Sequence, residues 1–150
     1  MKTMIRNIAL GLVVRDGFVL GEEYPARSGH ELFVRVPGGG IDYGEHSVDA
    51  VRREFAEELA VEVREARLLG VLESHFMRGE RVGHEYAHVF AVTSPDLDAW
   101  PIEERRPVLD SDTVAGWFPL EALAAGRPPL YPDGAVAFAE RLRGHTATNR

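Results

Sequence analysis

The sequence predicts an α/β domain in which a mixed β-sheet packs against helices. Apolar and β-branched runs that are typical of strands lie on both sides of one helical segment, and further helical patterns follow near the C-terminus. The chain has 150 residues and 45% of them are hydrophobic, which is enough for one domain, 1–150, to enclose its own core.

Strands are predicted ahead of the central helix. The apolar segment Ile5 to Arg15 is followed by Asp16-Gly17, a dipeptide typical of tight turns, and then by Phe18 to Leu20. This order predicts a β-hairpin. After a polar loop, residues 31–36 alternate in character. Strand periodicity then places Leu32, Val34 and Val36 on one face and Phe33 and Arg35 on the other.

A helix is predicted to begin after Ser47 as N-cap, with Asp49 in its first turn, and to end near Leu59. At about 100° per residue, its apolar side chains fall within an arc of roughly 80° that would face a core. These residues are Val48, Val51, Phe55 and Leu59. Three glutamates share the adjacent arc, with Cβ atoms roughly 5–6 Å apart. They are Glu54, Glu57 and Glu58.

Three apolar runs, one loop and two helices are predicted beyond the central helix. Leu68–Leu72 and Gly83–Thr93 have the composition of strands, and Val114–Phe118 is a third apolar run. The proline-bearing, acidic segment Ser94–Asp112 predicts a surface loop. A short helix is expected after Pro119, where Trp117-Phe118-Pro119-Leu120 is interpreted as packing, and a last helix is expected over Asp133–Arg143.

Composition narrows the classes of function. The formal net charge of −7 argues against a general nucleic-acid binder, because such proteins usually present a basic face. The apolar run Ile8 to Val14 is far shorter than the roughly 20 residues of a membrane span, so no membrane partner is expected. The chain has no cysteine, which fits a cytoplasmic protein and excludes cysteine-ligated metal sites.

The glutamate arc and the preceding glycines predict a metal site. Three like charges beside a buried face repel one another, and a divalent cation such as Mg²⁺ relieves that repulsion. The three glycines Gly38, Gly39 and Gly40 allow a main-chain carbonyl to approach the same ion. Arg53 lies four residues before Glu57 and is expected to brace it. The alternative interpretation is an ordinary solvated helix face.

The order and spacing of these residues resemble a known signature. Gly39, five residues, Glu45, seven residues, and then REFAEELAV from Arg53 to Val61 are similar to the glycine, glutamate and REUxEExGU pattern of the Nudix hydrolase family, where U is a bulky aliphatic. Two positions depart from it. Phe55 replaces an aliphatic, and Ala60 replaces the usual glycine. If Ala60 adopts a left-handed helix end, the alanine costs about 1–2 kcal/mol locally.

The resemblance implies a Nudix-type α/β/α sandwich and Mg²⁺-dependent hydrolysis of a diphosphate bond, with Mn²⁺ as a possible substitute. It implies that Glu54 and Glu58 are the principal metal ligands and that the Gly38 carbonyl is another. Glu57 would be a ligand or the base that activates water, and Glu45 and Arg53 would orient the others. Glu80 and Glu85 are alternative candidates for the base, since it sometimes lies outside the signature helix.

The implied partner is a small nucleotide: a nucleoside diphosphate linked to another moiety, or a nucleoside triphosphate. Arg35 is a candidate for phosphate contact. The aromatic candidates for stacking on a base are Tyr24, Phe33, Phe76 and Tyr86, although aromatic residues in strands are more often core residues. Family members of this kind are expected to be monomers or homodimers.

Two other functions remain open on the sequence. One is a Nudix-fold regulator that binds nucleotides without catalysis, which is disfavoured because it need not keep the three glutamates together. The other is a zinc peptidase, because His84-Glu85-Tyr86-Ala87-His88 is a literal HExxH motif. That motif requires a helix, whereas the surrounding residues predict a strand on which His84, Tyr86 and His88 share one face.

Overall fold

The computed structural model describes residues 3–148, with the side chains of residues 3–144. The strands are β1 (Ile5–Leu12), β2 (Val14–Arg15), β3 (Phe18–Tyr24), β4 (Phe33–Arg35), β5 (Gly38–Gly40), β6 (Glu65–Arg78), β7 (Arg81–Thr93), β8 (Arg106–Pro107), β9 (Val114–Pro119) and β10 (Leu130–Tyr131). The helices are α1 (Ser47–Leu59), α2 (Pro95–Asp98), α3 (Leu120–Ala124) and α4 (Ala135–Thr148).

Two mixed sheets form the body of the fold. The first has the order β5-β1-β7-β6, with β1 parallel to β7 and antiparallel to β5. The second has the order β10-β4-β3-β9-β8, with β10 parallel to β4 and β3 antiparallel to both of its neighbours. The predicted α/β class is therefore confirmed, but the strands divide between two sheets instead of forming one.

Strand β1 is buried on both faces, which explains its nearly continuous apolar sequence. Ile8, Leu10 and Leu12 pack in one core cluster with residues of β7 and α4. Ala9 points to the other side, into a cluster that contains the apolar face of α1. That face consists of the residues predicted from the helical wheel, since Val51, Phe55 and Leu59 are buried and Val48 packs against the same cluster.

The predicted N-terminal hairpin is only partly correct. The turn at Asp16-Gly17 is present, but only Val14–Arg15 pairs with Phe18–Val19 across it. The residues of β1 belong to the other sheet, where they pair in parallel with β7. The chain changes sheets at Val13, because pairing with the apolar strand β7 buries both faces of β1 and a local hairpin would not.

Two other local expectations need correction. Strand β4 covers only Phe33–Arg35. Leu32 precedes it with 38% of its surface exposed, whereas Val34 and Val36 are buried. The segment 94–112 is not simply a surface loop. It contains α2 and β8, and it buries Leu97, Trp100 and Val108 in the core shared with α1. The prediction of a surface loop rested on the charged residues of this segment and gave too little weight to its apolar ones.

The C-terminal half otherwise follows the prediction. Strands β6, β7 and β9 contain the three predicted apolar runs. Helix α3 begins at Leu120, and Trp117 and Phe118 are buried as packing residues. The last helix begins at Ala135, two residues later than predicted, and extends beyond Arg143 to Thr148. Among residues 3–148, no helix combines the length and the apolar character needed to cross a membrane.

Helix α1 differs from the prediction at its start. His46, not Ser47, is the N-cap, with extended backbone angles, and its carbonyl accepts hydrogen bonds from the N–H groups of Asp49 and Ala50. Ser47 is already helical, so its hydroxyl cannot cap the helix as predicted. Asp49 does lie in the first turn, where the partial positive charge of the helix end favours it.

At the end of α1, Ala60 meets the condition under which the sequence predicts a local cost. This residue is left-handed, with φ 54° and ψ 37°, and the N–H of Val61 donates to the carbonyl of Phe55 at 3.2 Å. The N–H of Ala60 donates to the same carbonyl, so two hydrogen bonds close the helix end around a left-handed residue, a position at which glycine is preferred. Alanine at this position therefore stores backbone strain.

Replacing Ala60 by glycine is expected to raise the free energy of unfolding by about 1 kcal/mol, because the left-handed conformation no longer strains a Cβ atom. Denaturant unfolding followed by circular dichroism measures this. The matched control is Ala56→Gly in the exposed middle of the same helix, which should lower stability by about 1 kcal/mol. Equal destabilisation by both substitutions would contradict the strain at Ala60.

Candidate active site

The three glycines and α1 meet at one edge of the first sheet. Strand β5 pairs antiparallel with β1, so that Gly39 lies opposite Ala9 and Gly40 opposite Ile8. This pairing fixes the glycine segment beside the helix. The expected proximity of the glycines and the glutamate arc is therefore present in the fold.

Gly39 and Glu54 are in direct contact. A methyl group at Gly39 would lie 2.6 Å from Glu54 Cδ and 2.7 Å from each carboxylate oxygen, so no larger residue fits without displacing Glu54. At Gly38, φ is 146° and a methyl group would lie 2.1 Å from the carbonyl oxygen of Ala9. These two glycines let the backbone pass between β1 and the carboxylate.

Glu54 and Glu58 form a charged pair at the border of the core. The side chain of Glu54 is only 12% exposed, and its negative charge acts on Glu58. Burial raises the pKa of Glu58 to about 7, and the negative charges of Glu54 and Glu22 add to this effect. The nearby Arg35 opposes the shift without cancelling it. In the metal-free protein, this pair therefore tends to hold a proton.

Arg53 braces Glu54 together with Glu45 and Glu57. Its Nε donates to Glu45 at 2.8 Å, its Nη1 donates to Glu54 at 3.0 Å and to Glu57 at 3.2 Å, and its Nη2 donates to the carbonyl of Gly40 at 2.9 Å. The predicted contact with Glu57 is thus present, and it is one of several. Arg53 ties the glycine strand, the loop and the helix together.

Glu45 completes this brace from the loop before α1. It accepts two hydrogen bonds from Arg53, at 2.8 and 2.9 Å, and one from the backbone N–H of Asp42 at 3.1 Å. The hydrogen bonds from Arg53 lower the pKa of Glu45 to about 2, with the Asp42 N–H as the next contribution. The carboxyl group is therefore ionised throughout the neutral range, and it keeps Arg53 oriented.

Glu57 lies at the outer margin of the site, with its side chain 59% exposed. The other two candidate bases differ in their surroundings. Glu85 is mostly buried and pairs with Arg6 at 3.3 Å, whereas Glu80 is exposed in the turn between β6 and β7. Glu57 is the one of the three that shares Arg53 with the buried carboxylates.

The tentative substrate residues occupy one face of the second sheet. Glu22 pairs with Arg35 and Tyr24 pairs with Phe33 in the register of β3 and β4. Because alternate residues of a strand share a face, these four side chains form one patch. The rings of Tyr24 and Phe33 are stacked with centroids 4.8 Å apart, and Arg35 Nη2 donates to the carbonyl of Gly38 at 2.9 Å.

The aromatic patch is continuous with the carboxylates. Burial raises the pKa of Tyr24 to about 12, while Arg35 opposes this shift and Glu22 and Glu58 contribute to it. Arg35 is thus placed between the stacked rings and the glycine loop. The two remaining aromatic candidates, Phe76 and Tyr86, lie away from this patch on β6 and β7.

Comparison with known proteins decides the family. A family model of the NUDIX domain matches residues 4–140. The chain belongs to the Nudix hydrolase family. The enzyme class that the sequence resemblance implies, a Nudix pyrophosphohydrolase, is confirmed at this level. A search of curated proteins gave no significant match.

Solved Nudix structures share the fold. The MutT NUDIX hydrolase from Burkholderia pseudomallei is 26% identical, with a TM-score of 0.61, over 91% of this chain and 96% of that one. A NUDIX hydrolase from Nitrosomonas europaea is 20% identical, with a TM-score of 0.59, over 98% and 92%. MutT from Bacillus halodurans is 20% identical, with a TM-score of 0.60, over 90% and 80%. The predicted Nudix-type fold is therefore confirmed.

Sequence reasoning missed three residues near the Nudix site. Glu22 is only 4% exposed, lies 3.7 Å from Arg35, and accepts a 2.6 Å hydrogen bond from the Thr113 hydroxyl. Asp42 lies 3.5 Å from Arg53. One feature of the sequence points to Glu22: it is a charged residue that follows the apolar residues of a strand. Thr113 gave none, because its contact joins residues 91 positions apart.

The donor set of this Nudix hydrolase fits a hard divalent cation. Glu54 and Glu58 present carboxylate oxygens that repel each other in a partly buried setting, and the Gly38 carbonyl lies at the adjacent strand. Oxygen donors of this kind suit Mg²⁺ and Mn²⁺ better than softer ions. A cation there would stabilise the ionised form of Glu58 and so oppose the rise in its pKa that burial causes.

The raised pKa of Glu58 predicts a pH-dependent stability in chelator. The folded state retains a proton that the unfolded state loses near pH 4.5, so stability should fall as pH rises from about 4.5 to about 7. Glu58→Gln should remove this loss and make the metal-free protein about 1–2 kcal/mol more stable at pH 8, an amount reduced by solvent screening. Denaturant unfolding in chelator at pH 4.5 and pH 8 measures the difference.

The matched control is Glu62→Gln, on an exposed residue just beyond the helix, which should follow the wild type at both values of pH. A Glu58→Gln variant that is no more stable than the wild type at pH 8 would show that the surroundings of Glu58 do not disfavour its ionised form.

Proposed function

We propose that this Nudix hydrolase uses Mg²⁺, or Mn²⁺ in its place, to hydrolyse a diphosphate bond in a small nucleotide. The substrate class is a nucleoside diphosphate linked to another moiety, or a nucleoside triphosphate. The observation that carries the proposal is the contact of Glu54 with Gly39, which brings the glutamate arc and the glycine loop into one site.

Glu54 and Glu58 are the proposed principal metal ligands, with the Gly38 carbonyl as a further ligand. Their partial burial and mutual repulsion support this assignment. A divalent cation bound there would neutralise the diphosphate and lower the pKa of a coordinated water, so that the water can attack phosphorus. The same cation would let a protein of net charge −7 bind an anionic substrate.

Glu57 is proposed as a third ligand or as the base that takes a proton from the attacking water. Its exposure leaves it free to do either, and its contact with Arg53 at 3.2 Å sets its direction. Glu45 and Arg53 are proposed as orienting residues. Removal of Arg53 would release two site glutamates and the Gly40 carbonyl at once.

Arg35, Tyr24 and Phe33 are proposed as substrate contacts. Stacked rings offer a face to a nucleobase, and a guanidinium between the rings and the glycine loop is placed to meet a phosphate oxygen. Glu22 is proposed to hold Arg35 in this position. We further propose that residues 1–150 act as one domain, as a cytoplasmic monomer or homodimer.

The test is a panel of nucleoside di- and triphosphates, ADP-ribose, nucleotide sugars, dinucleoside polyphosphates and coenzymes, assayed with Mg²⁺ and with Mn²⁺. We expect release of a nucleoside monophosphate, phosphate or pyrophosphate from at least one compound. Glu54→Gln and Glu58→Gln should each lower kcat by at least about 100-fold, because misplaced metal ligands cost that much in orientation alone.

Glu62→Gln serves as the control and should retain wild-type turnover. Unchanged turnover in Glu58→Gln would refute the site assignment. Tight nucleotide binding without hydrolysis across the whole panel would instead support a regulator that binds without catalysis.

A further inference from the structure

A second group of metal-binding residues lies on the long hairpin of β6 and β7. It consists of Glu73 and His75 on β6 and His84 on β7. His75 and His84 are directly opposite each other in the antiparallel register. Each of the three residues offers a ligand atom, and these atoms all lie within 4.8 Å of one another.

The side chains of this group already contact one another. His84 Nε2 lies 2.8 Å from a carboxylate oxygen of Glu73, and the rings of His75 and His84 have centroids 4.2 Å apart. The Tyr86 hydroxyl donates to the same Glu73 oxygen at 2.9 Å. A neighbour that orients a ligating carboxylate in this way is a recurrent feature of metal sites.

The chemistry of these donors differs from that of the glutamate arc. Two imidazole nitrogens and one carboxylate oxygen suit Zn²⁺ and related transition metals, whereas Mg²⁺ prefers oxygen ligands. Metal–ligand bonds of about 2.0–2.2 Å place tetrahedral ligands about 3.4 Å apart. The cluster needs small side-chain rotations to reach this spacing, and its partly exposed side chains have room for them.

The cluster is also remote from the glutamate arc. Through Ala9, Gly39 is level with His88 on β7. His84 lies four residues further along that strand, or about 14 Å at about 3.4 Å per residue. The two groups of ligands therefore cannot share one ion.

We propose that Glu73, His75 and His84 bind one divalent transition-metal ion of the zinc class, with Tyr86 orienting Glu73. The site joins β6 to β7 across the hairpin and leaves a coordination position for water. It uses only one histidine of the literal HExxH motif. In strand β7 the other one, His88, is on the same face but outside the cluster.

Isothermal titration of the full chain with Zn²⁺ tests the proposal. The protein is first treated with a chelator, and excess Mg²⁺ is then added to occupy the proposed site at Glu54 and Glu58. We expect one Zn²⁺ per chain. His75→Ala, His84→Ala and Glu73→Gln should each weaken binding by at least about tenfold, the size of effect seen even for residues that only orient ligands. All three should keep wild-type Mg²⁺-dependent turnover.

His88→Ala is the matched control, because it removes the second histidine of the sequence motif from the same strand and should leave zinc affinity unchanged. Circular dichroism without metal verifies that each variant is folded. Absence of zinc binding in the wild type, or equal loss in His84→Ala and His88→Ala, would overturn the proposal.

Discussion

The repulsion between Glu54 and Glu58 is the constraint on which the candidate site depends. Burying Val51, Phe55 and Leu59 fixes the rotation of α1, and this leaves both carboxylates at the edge of the core. On an exposed helix such a pair costs only some tenths of a kcal/mol. Here partial burial and the negative charge of Glu54 raise the pKa of Glu58 to about 7, which means that the doubly ionised pair is destabilised. A cation bound between the two carboxylates would stabilise it.

The surrounding residues keep this arrangement from relaxing. Gly39 contacts Glu54 from the sheet side. On the helix side, Arg53 donates a hydrogen bond to Glu54 and another to Glu45, which orients the arginine. On the second sheet, Glu22 faces Arg35, which reaches the Gly38 carbonyl. The carboxylates therefore lie between two arginine-centred networks. Each network joins a loop or strand to the glycine segment, which is why positions distant in sequence fix one site.

Local pattern and spacing were sufficient for the central part of this structure. The 3.6-residue periodicity of α1 gave its buried face, and the spacing from Gly39 to Val61 indicated the family that the domain match confirms. The expectation for Ala60 depended only on the pattern and on backbone sterics, and its left-handed conformation agrees. These inferences all rest on residues within one continuous stretch of the chain, from Gly39 to Val61.

The errors arose where a distant partner decides the local structure. Strand β1 does not form the predicted hairpin, because it pairs in parallel with β7, about 80 residues later in the chain. Glu22 acquires its role from Thr113 and Arg35, and neither contact is visible in its own segment. Likewise, Leu97 and Trp100 anchor an acidic segment that looks like a surface loop. Periodicity cannot detect such partners, because they belong to other strands and helices.

The glycine loop and the glutamate arc are proposed to form one cation site, and Mn²⁺ affinity measured by electron paramagnetic resonance tests this directly. The background variant is His75→Ala, so that the hairpin cluster does not contribute. Gly39→Ala should weaken Mn²⁺ binding by at least about tenfold, because the methyl group displaces Glu54. Gly40→Ala, where the nearest atom is 3.6 Å away, should leave the affinity unchanged. Equal affinity in both variants would contradict the account.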